Sequence, residues 1–172
     1  MRRRGYNHYN WRIITMKNLR KGFTLIELLV VISIIVALSV SVFVALNPGQ
    51  RLQDARDARR VSDVDTLLTA VHEYIVDNAG SSPSGLSTTE QQLGTGATGC
   101  AIATGGCTVT ATACLDLSTA FAAYLKSIPV DPLGGTTYTA AKTGYSVIED
   151  SNGIVTVRAC GTEGSTNIET SR

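Results

Sequence analysis

The side chains of this 172-residue chain with most chemistry to offer are few: Cys100, Cys107, Cys114 and Cys160, two histidines, His8 and His72, and one acid inside a long apolar run, Glu27. The first three cysteines stand seven apart, without the C-x-x-C pairs of a zinc site, and neither histidine lies near them. No metal centre is expected. As disulfides the four allow three pairings. A bond from Cys160 into the 100–114 segment would tie the end of the chain to its middle, with Cys114 or Cys100 the preferred partner. His72 sits beside Val71 in a helical pattern and reads as a packed or exposed helix residue rather than a base. Gly94-Thr-Gly-Ala-Thr-Gly99 imitates a dinucleotide box, but it neither follows a β-run nor opens a helix. No Ser-His-Asp arrangement can be assembled, so an enzyme is not expected, nor a cofactor.

These residues hang on a strongly polarised chain. The formal net charge is only +1, with 15 basic and 14 acidic residues. Residues 1–22, however, hold seven Lys and Arg and no acid, which leaves 8 basic against 14 acidic residues from Phe23 onward, a net −6. From Leu25 to Leu46 run 22 residues with Glu27 as the single charge, about the ~20 needed to cross a bilayer. Lys and Arg before an apolar span keep the N-terminus cytoplasmic and send the chain beyond the span out of the cell. A nucleic-acid partner would need those charges on a folded surface, and none is expected. All four cysteines lie on the exported side, where disulfides are permitted.

Residues 1–22 read as an unstructured basic leader, which an internal start at Met16 would shorten, leaving residues 1–15 outside the native product. Residues 23–79 read as a long N-terminal helix, transmembrane at 23–46, and residues 80–172 as a globular head. Asn47-Pro48-Gly49 interrupts the helix at Pro48. Beyond it Val61, Val64, Leu68, Val71 and Ile75 recur at spacings of 3 and 4 and predict an amphipathic stripe. Were the two pieces collinear, Phe23 to Asn78 would span about 84 Å at ~1.5 Å per residue. Arg56-Asp57-Ala58-Arg59-Arg60 reads as a solvated face of mixed charge in preference to an inter-subunit ion-pair patch.

In the head, a Gly/Ser/Pro cluster at Gly80–Gly85 ends the helix, and Gly94–Thr112 reads as a loop held by cysteines. Ser118 would cap a short helix, Thr119–Lys126, closed by Pro129 and Pro132. Gly144–Glu149 and Ile154–Cys160 are β-rich and joined through Ser151-Asn152-Gly153, a hairpin signal. The fold class is α+β: a long N-terminal helix and a small head with a short helix and an antiparallel β-sheet.

The junction Lys21-Gly22-Phe23-Thr24-Leu25-Ile26-Glu27 resembles the class III signal of type IV pilins and type II secretion pseudopilins. A general secretory signal is cut after its apolar region, whereas this one would be cut before it. The resemblance implies cleavage by a prepilin peptidase between Gly22 and Phe23, methylation of the new amine on Phe23, and an anchor that stays on the mature chain. It implies that Glu27, an acid costly inside an apolar helix, meets the N-terminal amine of a neighbouring subunit, although a helix-dipole contact alone would also favour it. Further implied are a homo-oligomeric helical filament, an inner-membrane platform protein and an assembly ATPase. The protein would be a single-pass cell-membrane protein before assembly and part of a surface or extracellular filament after it. In similar filaments the helix melts near an early proline, and Pro48 suits that or an ordinary kink. Cys114-Leu-Asp-Leu-Ser118 and Tyr124-Leu-Lys-Ser-Ile-Pro-Val-Asp-Pro132 also resemble the C-terminal region of pilin-like proteins. Major pseudopilins bind calcium through loop acids. Here Glu149, Asp150, Asn152 and Glu163 are tempting ligands, but an EF-hand pattern is absent and a plain hairpin turn explains Asp150 and Asn152 better. A pseudopilin of a secretion or DNA-uptake system is one alternative, and a monomeric membrane-tethered binding domain is another.

Overall fold

The computed structural model describes residues 22–164 and 167–172. The leader up to Lys21, including Met16 and residues 1–15, therefore lies outside the described residues. Two compact units divide between Ala45 and Leu46.

The first unit contains α1 (Leu25–Leu46), whose Leu, Ile and Val side chains all face outward, with no buried residue. An apolar surface on every side is untenable in water and favoured in hydrocarbon. Ser33, Ser39 and Ser41 return their hydroxyls to the carbonyls of Leu29, Ile35 and Leu38 at 2.7, 2.7 and 2.8 Å, so their polarity is satisfied within the helix. The helix is long and apolar enough to cross a membrane.

The helical ladder stops for one residue. Asn47 adopts a left-handed conformation (φ 39°, ψ 71°), because a proline denies helical geometry to the residue before it and Asn tolerates that region better than most side chains. Pro48 then opens α2 (Pro48–Asp77), a position where its missing N–H costs nothing. At the far end Asn78 and Gly80 donate to the carbonyls of Tyr74 and Ile75 at 2.9 and 2.8 Å, with Ala79 at φ 54°. This is a Schellman-like stop with alanine at the left-handed position.

In the second unit α2 buries Arg60, Val64, Leu67, Leu68, Ala70 and Val71. Val64, Leu68 and Val71 of the expected stripe are buried and Ile75 packs on the core, but Val61 is turned to solvent, 48% exposed, and Arg60 is buried in its stead. The stripe packs on an antiparallel sheet of order β1-β2-β3-β4, formed by β1 (Gln91–Gln92), β2 (Tyr145–Glu149), β3 (Val155–Ala159) and β4 (Ile168–Ser171). Alternation sends Tyr145, Val147, Val155, Val157 and Ala159 into the α2 core, joined by Leu93, Leu117 and Phe121. The β2–β3 hairpin turns through Asn152 and Gly153, the latter at φ 82°. Asp150 takes the N–H groups of Asn152 and Ile154, both at 2.8 Å.

The opposite face of the sheet is covered by the cysteine-bearing loop, where Cys107, Val109 and Cys160 form a second small core. The disulfides are Cys100–Cys114 and Cys107–Cys160. Cys160 thus pairs with Cys107, not with Cys114 or Cys100, because the strand ending at Ala159 brings it under the middle of the loop. The expected helix at Thr119–Lys126 is instead a run of turns over Ser118–Tyr124, with mixed bonds such as Leu125 to Phe121 and Tyr124 to Phe121. Its start is fixed by Asp116, which accepts the N–H of Ser118 at 2.9 Å, so Ser118 is not the cap.

Candidate functional site

Gly22 and Phe23 precede α1 in an open setting. A Cβ built on Gly22 would meet nothing within 4 Å, and Phe23 is 93% exposed. The helix is started by a reciprocal pair. Thr24 donates its backbone N–H and its hydroxyl to Glu27 Oε2, both at 2.9 Å, and the Glu27 N–H donates to Thr24 Oγ1 at 3.2 Å. This is a capping box, in which a hydroxyl and a carboxylate three residues apart satisfy each other's orphan donors at a helix start. The Thr-x-x-Glu spacing carries that signal in the sequence, and Thr24 was the functional residue that dipole reasoning alone missed. Glu27 Oε1 accepts no hydrogen bond among the described residues, so the carboxylate keeps a face for another donor.

Of the run Arg56 to Arg60, Arg59 stays on the solvated face, whereas Arg56, Asp57 and Arg60 turn inward. Arg60 is fully buried and makes a bidentate pair with buried Asp131, Nε to Oδ2 and Nη2 to Oδ1 each at 2.7 Å. Its remaining nitrogen, Nη1, donates to Asp57 at 2.7 Å and to Glu163 at 3.1 Å. Arg56 closes the group by donating to both oxygens of Glu163 at 2.5 and 2.6 Å. Asp57 also receives the N–H groups of Glu163 and Gly164. The hydrogen bond from Arg56 holds the Glu163 carboxyl down at about 2, against partial burial, with Arg60 adding to the effect. Asp57 is depressed as well: burial opposes ionisation, but the Arg60 bond and the two backbone donors outweigh it. The cluster clamps α2 to the Pro129–Pro132 turn and to the segment before β4.

On the disulfide face, buried Glu90 accepts from the Thr108 hydroxyl and N–H at 2.6 and 2.8 Å and from the Ser146 hydroxyl at 2.7 Å, with Arg158 at 3.3 Å. Burial pushes its carboxyl up, and these donors pull it net below the ordinary value. The tempting calcium ligands are otherwise engaged. Glu149 accepts from Ser82 at 2.9 Å, Asp150 builds the hairpin turn, and Glu163 belongs to the clamp. No group of three or more His, Cys, Asp or Glu that could hold a metal ion occurs among the described residues. His72 is partly buried on α2, and its Nε2 has no hydrogen-bond partner among the described residues. The glycines near Gly94 serve close packing, since a Cβ on Gly96 would lie 2.6 Å from the Ala141 carbonyl oxygen.

Residues 17–43 match a protein-family model described as the prokaryotic N-terminal methylation motif, the class III signal of type IV pilins and pseudopilins. The match ends within α1 and takes in Gly22, Phe23, Thr24 and Glu27. No curated protein matches the chain. No solved structure matches it either.

Proposed function

We propose that this chain, which carries the class III signal of type IV pilins and pseudopilins, is the precursor of a structural filament subunit. The observation that carries the reading is the methylation motif at residues 17–43, running into a helix that is apolar on every side. A prepilin peptidase cuts after Gly22 and methylates the amine of Phe23. Glycine suits that position because a chain drawn extended into a protease cleft meets no side chain there. The basic leader holds the scissile bond at the cytoplasmic face, and α1 keeps the mature chain in the membrane with its head exported. The mature subunits then assemble through their N-terminal helices into a cell-surface or extracellular filament, with the work supplied by an ATPase acting through a platform protein.

Glu27 has two successive roles in this scheme. Its capping box with Thr24 offsets part of the cost of a carboxylate in hydrocarbon. Its remaining oxygen receives the Phe23 amine of the neighbouring subunit on assembly. The motif points to a structural subunit rather than an enzyme. The division into leader, helix over 23–79 and head over 80–172 belongs to the same proposal.

Intact mass spectrometry of the chain from its own membranes tests the reading. The mature species starts at Phe23, with or without one methyl group, and Gly22→Val accumulates as uncut precursor. Normal processing of Gly22→Val would refute it.

A further inference from the structure

By drawing Arg56, Asp57 and Arg60 inward, the clamp sorts the charges of α2. The solvent side keeps Arg51, Asp54 and Arg59 towards its start, a net positive charge, whereas after Arg60 the helix has four acids, Asp63, Asp65, Glu73 and Asp77, and no Lys or Arg. Arg51 and Glu73 have no ion-pair partner among the described residues. Arg59 is 64% exposed in its side chain and among the described residues reaches only Asp63, at 3.8 Å. The acidic end itself lines an open groove of about 550 Å³, in which Asp65 and Glu73 stand among Ser62, Thr66 and Thr69, beside Tyr124 and Leu125. The hydroxyls of Thr66 and Thr69 are already bonded to their own helix, at 2.7 and 2.8 Å. The groove therefore presents its two carboxylates as the groups to be met, Asp65 already accepting from the Thr170 hydroxyl at 3.1 Å.

We propose that this groove receives the first turns of α2 from a second copy of the chain, placing Arg51 and Arg59 of one copy on Asp65 and Glu73 of the next. The register supports both pairs at once. Asp65 lies 14 residues after Arg51, and Glu73 lies 14 after Arg59, which is about 21 Å along the axis and about 3.9 turns, so the pairs share one face. An axial shift of that length, combined with a rotation that turns the two patches towards each other, sets both pairs at matching heights. The contact joins different patches of identical subunits and therefore propagates rather than closing into a dimer. The inference rests on the filament reading and adds to it the surface that sets the step between heads.

The test uses the full chain in cells where it is processed. Arg59→Cys combined with Glu73→Cys puts two thiols about 21 Å apart in one molecule, too far for a bond within it. On oxidation of sheared filaments, a non-reducing gel should show a ladder of oligomers that each single variant lacks. Glu73→Arg should cut filament yield at least tenfold with processed subunit still in the membrane, and adding Arg59→Glu should restore it. Filaments that form but give no ladder, crosslinks to a different protein, or wild-type yield from Glu73→Arg would overturn the inference and leave the filament reading standing. If the unaltered chain is processed yet never forms filaments, the reading itself fails and the inference with it.

Discussion

Arg60 and Asp131, 71 residues apart, face each other as a fork on a fork with both side chains wholly out of water. A charge pair in that setting contributes little net stability relative to apolar residues of the same volume, yet half of it left alone is very costly. Asp131→Ala should therefore destabilise the head by about 3–5 kcal/mol. Glu169→Ala, which breaks the exposed pair with Arg158, should cost less than about 1 kcal/mol. Urea unfolding of the detergent-solubilised variants compares the two, and similar losses would contradict the buried clamp.

Acid should loosen the same cluster. The Arg56 bond depresses the Glu163 carboxyl to about 2 in the folded chain, from an ordinary 4.5. A group with a lowered folded pKa stabilises the fold above its unfolded value, and that contribution fades as pH falls from about 4.5 towards 2. The melting temperature of the wild type should fall more steeply across this window than that of Glu163→Gln. Parallel curves would remove Glu163 from the clamp.

The two disulfides should differ in weight. By loop-closure entropy, Cys107–Cys160, with a separation of 53, constrains the unfolded chain by about 4 kcal/mol, and Cys100–Cys114, with 14, by about 3 kcal/mol. Non-reducing peptide mapping should recover these two pairings alone. Replacing both Cys107 and Cys160 by Ser should lower the melting temperature more than replacing Cys100 and Cys114.

Ala79 holds a left-handed position at the end of α2 with φ 54°. Ala79→Gly removes the strain on its Cβ and should stabilise the head by roughly 0.5–1 kcal/mol. A lower melting temperature would argue against the Schellman-like stop.

Glu27 separates anchoring from assembly. A membrane helix without the acid inserts at least as well, since a central charge costs ~2.5–3.5 kcal/mol on insertion scales. Glu27→Val should remain cleaved and membrane-bound yet be depleted from sheared filaments. Wild-type yield from Glu27→Val would reduce the residue to its capping role with Thr24.

The features legible in the sequence were those written in local spacing. The 22-residue apolar run, the Asn-Pro break and the Asn-Gly hairpin each depend on residues within a few positions of one another, and each has its element in the structure. The capping box is equally local, readable as Thr-x-x-Glu before an apolar run. The clamp was not legible, because alternating charges at 56–60 look solvated until Asp131 and Glu163 arrive from 71 and 103 positions beyond Arg60. β4 escaped for another reason. Ile168-Glu-Thr-Ser171 is an edge strand with half its residues in solvent, too short and polar to show an alternating pattern.

The Cys107–Cys160 bond also bears on what a pulled subunit can yield. A stretch of 53 residues lies behind that crosslink, and at about 3.4 Å per extended residue it withholds roughly 180 Å of contour length. Force applied across the head can unzip α2 from the sheet, but this length stays locked until the sulfurs are reduced. A subunit under tension would therefore release this particular length only once a reductant reached it.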